Sequence, residues 1–387
     1  MTDSVTALTH HTDSREAGLT LAHTIREGFG GDAADAVIVF ASAQHDYPAL
    51  LEALAHGCGT EVIAGASSAG EFTQSAHGVG CVSALGLRAG EMQFALGVGR
   101  DIAAAPAAAA RALAAGFRGP GARMPYRSAL IMADALAGHA DAVLEELTVA
   151  TSGNYRFFGG GAGDDGRFQK THVFAGTEAL TDAAVGLEIL STQPLGIGVS
   201  HGWIPASEGC RVTEVDGTRL IGLNGLPALQ VFELHAEATG QALDAADPQP
   251  FFLHNILGID EAGTYRLRVP LAAHQDGSVS CAAPVPHGAI VHIMKTTNES
   301  AVLSAEQATR AALAGLGGRP PGAALIFDCV ATRLRMGTAF ANELAACAEL
   351  LKPSGFVGCN TYGQIARAEG QFGGFHNCTA VVCVLPA

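Results

Sequence analysis

The sequence predicts an α/β protein: a layered sandwich of repeated helix–strand–helix–strand units with covering β-meanders. Three observations carry that expectation. The chain has 387 residues, 48% of them apolar and 15% charged, which fills large cores and leaves too little charge for disorder. That length exceeds what one core usually organises, so two domains are expected. The same order of elements recurs three times along the chain, each time ending on a strand that runs into a glycine-bearing turn.

Each element has its own local signal. Residues 1–14 are polar, with no basic stretch before an apolar run, so they do not read as a secretory leader, and the first dozen are expected to stay unfolded. The first copy has an amphipathic helix over 14–28, a strand at 36–42, a helix over about 46–57 and a strand running into a glycine turn over 61–71. Its turn carries Gly65, Ser68, Gly70 and Glu71. The second opens at Asp101, read as an N-cap, with Pro106 in the first turns of a helix ending near Gly116. A strand at 128–134, a helix to Ala150 and the glycine run 159–163 complete it.

The third copy has Ser304 and Gln307 as a capping box, a stop at Gly317 and Gly318, and a strand at 323–328. A helix over 336–351 comes next, then a turn with Gly358, Asn360 and Gly363. Apolar β-type runs after each turn, at 80–86, 171–174 with 184–190, and 375–385, are the covering meanders. Residues 212–300 fit the unit poorly, although strands are readable at 265–271, 278–282 and 289–295; a degenerate fourth copy and a pocket-forming insertion both explain them.

Charge and cysteine usage narrow the function. A formal charge of −15 repels nucleic acid and anionic membrane surfaces, and no run of about 18 apolar residues offers a membrane span. Nine cysteines, mostly inside apolar strand-like runs and without a C-x-x-C pair, read as buried reduced thiols of a cytoplasmic protein. The glycine turns allow backbone N–H groups to converge on a ligand, but 65–71 has no lysine and Asp164 and Asp165 come directly after the second run, so these are not phosphate loops.

The turn 65–71, the run from Phe157 to Asp164, and Gly202 to Pro205 followed by Val212 and Thr213 resemble the N-terminal FIST domain. The stretches 215–217, 223–228 and 327–329, with Gly355, Gly363 and 375–379, are similar to the C-terminal FIST domain. The resemblance spans about 33–385 and implies two FIST domains, at 33–220 and 221–387, after an N-terminal tail and first helix at 1–32. It implies a cytoplasmic sensor of small ligands in signal transduction that acts on a histidine kinase or on a diguanylate cyclase or phosphodiesterase, and it leaves room for a homodimer. Within these 387 residues no output domain is readable, so the target is expected to be a separate protein. One departure from the family pattern is Gln364, where a glutamate is usual.

Some FIST proteins are haem-based nitric-oxide sensors, and the resemblance admits haem b here. His201 is the expected iron ligand, since it leaves a strand beside Gly202 and near Trp203, which could stack on a porphyrin; His292 is next, and His376 is the third. A small organic ligand such as an amino acid, without haem, is the alternative. An enzyme would need Cys329 as nucleophile with His376 and Asn377, but a core thiol there is expected to have a raised pKa. Zinc lacks its spacing: His235 and Glu237 have no P-C-x-x-C partner.

Overall fold

A computed structural model describes residues 2–119, 123–367 and 374–387; Met1 lies outside them. The three recurrences each found a six-stranded sheet. In the first, Ala36–Ala41 and Ile63–Ser67 run parallel around the helix Tyr47–Cys58, and Val82–Ala89 returns antiparallel beside Ala36–Ala41. The second repeats this with Tyr126–Ala133, Arg156–Gly161 and Ala183–Ser191, and the third with Pro321–Cys329, Phe356–Thr361 and Ala380–Pro386. These strands are apolar nearly throughout because both faces of each sheet are covered.

The strand after each glycine turn leaves its own sheet and joins another. Glu71–Thr73 of the first repeat pairs with Phe356–Thr361 of the third. Val173–Ala175 of the second pairs with Ile63–Ser67 of the first, and Gln364–Arg367 of the third with Arg156–Gly161 of the second. The exchange closes the repeats into a ring. The turns meet along its axis: Ala69 N–H donates to Asn360 O (2.9 Å), Gly163 N–H to Ser67 O (2.8 Å) and Gly161 N–H to Gly363 O (2.8 Å). Gly363 is required there, for its φ is +111° and a Cβ would lie 2.0 Å from the Phe375 ring.

The shared core lies between the sheets, where Phe327 packs edge-on to Phe40 (centroids 5.5 Å) and against Phe158 (6.3 Å). Helices cover the outer faces through separate clusters, Ser14–Gly28 with Tyr47–Cys58, Pro106–Ala115 with Ala140–Ala150, and Asn298–Gly315 with Phe340–Leu351. No helix among the described residues is long and apolar enough to cross a membrane.

Residues 201–297 lie between the edge strand Gly196–Ser200 and the helix Asn298–Gly315 of the third repeat, and hold a nine-stranded sheet around its own core of Phe232, Phe251 and Phe252. Every strand pair in it is antiparallel, so it is an insertion and not a fourth copy. Arg268, 2% exposed, ties it to the ring: its guanidinium donates to Phe375 O (3.1 Å) and pairs with Asp141 Oδ2 (3.1 Å).

Some local expectations are corrected. The N-terminal residues fold, as Thr2–Thr9 forms an edge strand on Val82–Ala89; its alternation is too polar to read as a strand until a partner is known. Asp101 is no cap, having φ +58°, and the helix begins at Pro106 after Ala105. The third-repeat helix begins earlier than its apparent capping box: Thr297 caps it by accepting from Ser300 N–H (3.1 Å), and Ser304 lies inside, its hydroxyl on Ala301 O. The next helical stretch starts at Val330 and breaks at Gly337 before resuming at Phe340.

Candidate functional site

Because each repeat lends its hairpin to another, the end of each first parallel strand faces a foreign turn, and two of these junctions hold clefts. Carboxyl ends of parallel strands are where α/β sheets usually hold ligands. The second cleft joins residues 135–138, after Tyr126–Ala133, to Tyr362, Gly363 and Asn377 of the third repeat. The inserted sheet roofs it with Gln249, Leu253, Val269 and Leu271, and the result is a cavity of about 290 Å³. Val330, Ala331 and Leu334 close the side.

The walls are largely apolar, and among the described residues no Asp, Glu, Lys, Arg or His lines the cavity. Phe168 stacks on Tyr362 (centroids 4.3 Å, 7° between planes), and the Tyr362 hydroxyl is spent on Asp164 Oδ1. Gln249 Nε2 donates to Leu271 O. Asn377 differs: it is 2% exposed, and its Oδ1 is buried without a hydrogen-bond partner. Leaving such an acceptor unmade costs roughly 1–3 kcal/mol, so it marks where a donor belongs.

Cys329 also faces the cavity. Contrary to the sequence expectation, its thiol lies below the ordinary value, because the Cys378 thiol bonds to it more strongly than burial opposes; Cys378 is pushed up in turn. All nine cysteines are free thiols, and all but Cys210 are buried.

The histidines expected to hold haem lie elsewhere. His201 Nε2 donates to Tyr265 O (3.0 Å), which leaves Nδ1 to accept from Trp203 N–H (3.3 Å), so both ring nitrogens are engaged by backbone. Burial holds it below the usual histidine range. The void beside Trp203 measures about 10 Å³, space for a water molecule and not for a porphyrin, and Trp203 faces the Arg335 guanidinium at 5.7 Å. His292 Nδ1 bonds Ser207 O (3.0 Å) on the inserted sheet, and His376 is buried opposite Gln364 in its hairpin. None of the three lines the large cavity. These residues do not fit haem b.

The expected ligand turns are also mostly structural. Ser68 Oγ donates to Glu71 Oε1 (2.5 Å), and Glu71 Oε2 accepts from Cys81 N–H (3.1 Å). Burial pushes the Glu71 carboxyl up to about 8 despite those bonds. Gly65 and Gly358 allow strand packing, since a Cβ would lie 1.8 Å from Val39 O and 2.2 Å from Ile326 O respectively. Asn360 is buried with both amide atoms unpaired, near Gly70, and does not line the cavity. Of the turn residues only Gly363 does. Gln364 is satisfied by Thr361 Oγ1 and Thr379 N–H, so the missing glutamate leaves no gap.

A ring of three repeats with an inserted sheet roofing a cavity, and a residue with an unspent acceptor in its wall, defines a small-molecule binding module. A family model described as the FIST N domain matches residues 35–226, and one described as the FIST C domain matches 228–367. The chain belongs to the FIST family, whose domains are signal-transduction sensors for small ligands. No curated protein matches it.

Proposed function

We propose that this chain senses a small, mostly apolar, uncharged molecule bearing a hydrogen-bond donor, held between the ring and the inserted sheet. Asn377, whose amide oxygen is buried without a partner, in the wall of a largely apolar cavity carries the reading. A charged ligand would have to shed its water against walls without a counter-charge, so an amino-acid zwitterion suits this cavity poorly. The haem-based nitric-oxide reading gives way to this one for the same reason that His201 is ill suited as an iron ligand: its ring nitrogens are already engaged.

The ligand would touch both bodies at once, so its binding favours one setting of the sheet on the ring. A histidine kinase, or an enzyme making or breaking cyclic di-GMP, would read that setting. A cytoplasmic location is supported by the free thiols.

The test is a thermal-shift screen of neutral aromatic and aliphatic alcohols and amides on the wild type and on Ala282→Phe, which fills the cavity from the roof. Compounds should stabilise the wild type and not the variant. Equal shifts in both, or none in either, would overturn the cavity as the site. Added haemin should give no saturable Soret band; one that vanishes in His201→Ala would restore the haem reading.

A further inference from the structure

We propose that the first cleft, between the first and second repeats, is a second ligand site, built for the oxyanion of a small carboxylate or phosphate compound. It is a cavity of about 320 Å³ at the carboxyl end of Ala36–Ala41, and among its lining residues are His45, Tyr47, Arg167, Lys170 and His172. It stands in the same relation to its repeats as the apolar cavity does, but no inserted sheet covers it and its chemistry is opposite.

His45 carries the case. It is 6% exposed and lines the cavity, yet its Nε2 has no partner. Ser14 Oγ accepts from Asp46 N–H (2.8 Å) and bonds His45 Nδ1 (3.3 Å), so Nδ1 is spent and Nε2 is the buried ring nitrogen left for a ligand. His172 contributes a second buried ring nitrogen, Nδ1, also without a partner. Burial holds both imidazoles below the usual range, so they are neutral and the charge comes from elsewhere.

Arg167 and Lys170 supply that charge from the rim. Arg167 reaches Asp165 only at 3.8 Å, and Lys170 has no ion pair among the described residues. One carboxylate, Asp164, also lines the cleft, but its acceptors are taken by the N–H groups of Phe168, Gln169 and Lys170 and by the Tyr362 hydroxyl. The free charges lining the cleft are therefore the Arg167 and Lys170 cations, which suit an anion through charge-assisted hydrogen bonds.

The experiment is a titration of the full chain with malonate and, separately, with inorganic phosphate, at constant ionic strength in chloride, following the imidazole resonances of His45 and His172. Saturable shifts are expected, absent with neutral malonamide. Shifts with malonate alone identify a carboxylate ligand, with phosphate alone a phosphate ligand, and with both the shared oxyanion site. Arg167→Glu and Lys170→Glu, both on exposed side chains, should each weaken binding at least tenfold, while Ala282→Phe should leave it unchanged. No saturable shift, an unaltered titration in both charge-reversal variants, or loss of binding in Ala282→Phe would each overturn the proposal.

Discussion

The first and second clefts arise from one backbone device and end with opposite characters. In both, a strand end from one repeat meets the turn of another. The second is roofed by residues 201–297 and lined largely by apolar side chains; the first is open, with His45, His172, Arg167 and Lys170 around it. The repeat therefore fixes where a cleft forms, and the insertion fixes what it can hold. Covering a cleft strips water from its walls, and walls that lose water must be apolar or paired.

The largest expected effect comes from unfastening the roof. Arg268→Met removes the guanidinium that joins the sheet to Asp141 and Phe375 O, and breaking such a buried pair costs about 3–5 kcal/mol. Denaturant unfolding should show that loss, and apolar ligands should no longer stabilise the protein. An unchanged midpoint would mean that the sheet is held by its apolar contacts alone.

Next is the axis that creates the clefts. Gly363→Val forces a side chain into the Phe375 ring at φ +111° and should cost about 3 kcal/mol, measured by thermal unfolding. Gly138→Ala, at φ +76° with nothing within 4 Å of the added carbon, tests the strain without the clash and should cost less.

A smaller effect is tied to pH. Glu71, buried near Asp165 and Arg333, has its carboxyl raised to about 8 chiefly by burial. The folded state then holds a proton that the unfolded chain releases near pH ~4.5, so stability is fullest below that value and falls as pH rises toward 8. Between pH 6 and pH 8 the loss should be about 2 kcal/mol, and Glu71→Gln should flatten it. An equally steep slope in the variant would show that another group titrates.

The smallest effect on stability is expected from Ala282→Phe, within about 0.5 kcal/mol, because the residue is exposed at the cavity wall. Its value to the comparison is that it should silence one cleft and not the other.

Much of the fold was legible from residues alone. The central strands of each repeat are continuous apolar runs bounded by turn glycines, and their helices carry the 3.6-residue pattern; both are local properties. The glycines with positive φ at 70 and 363 obey the same logic. The edge strand Thr2–Thr9 was not legible, because a half-polar strand declares itself only when paired with Val82–Ala89. Nor was the exchange of hairpins, since no side chain in the turns encodes which sheet the next strand will join.

The candidate site divides in the same way. The sequence by itself brought Gly363 and the FIST motifs into view, and it drew attention to histidines because imidazole chemistry stands out in a linear chain. Which histidines are spent depends on neighbours distant in the chain, such as Tyr265 for His201 and Ser207 for His292. Most of the cavity wall is alanine, leucine and valine side chains with no signature of their own, drawn from three parts of the chain, and the Cys329 and Asn377 that also line it stood out in the sequence only for a different chemistry. Periodicity and turn chemistry are written locally, so the sequence determined the repeats; a binding site is a coincidence of distant surfaces, so only the tertiary structure decided where it lies.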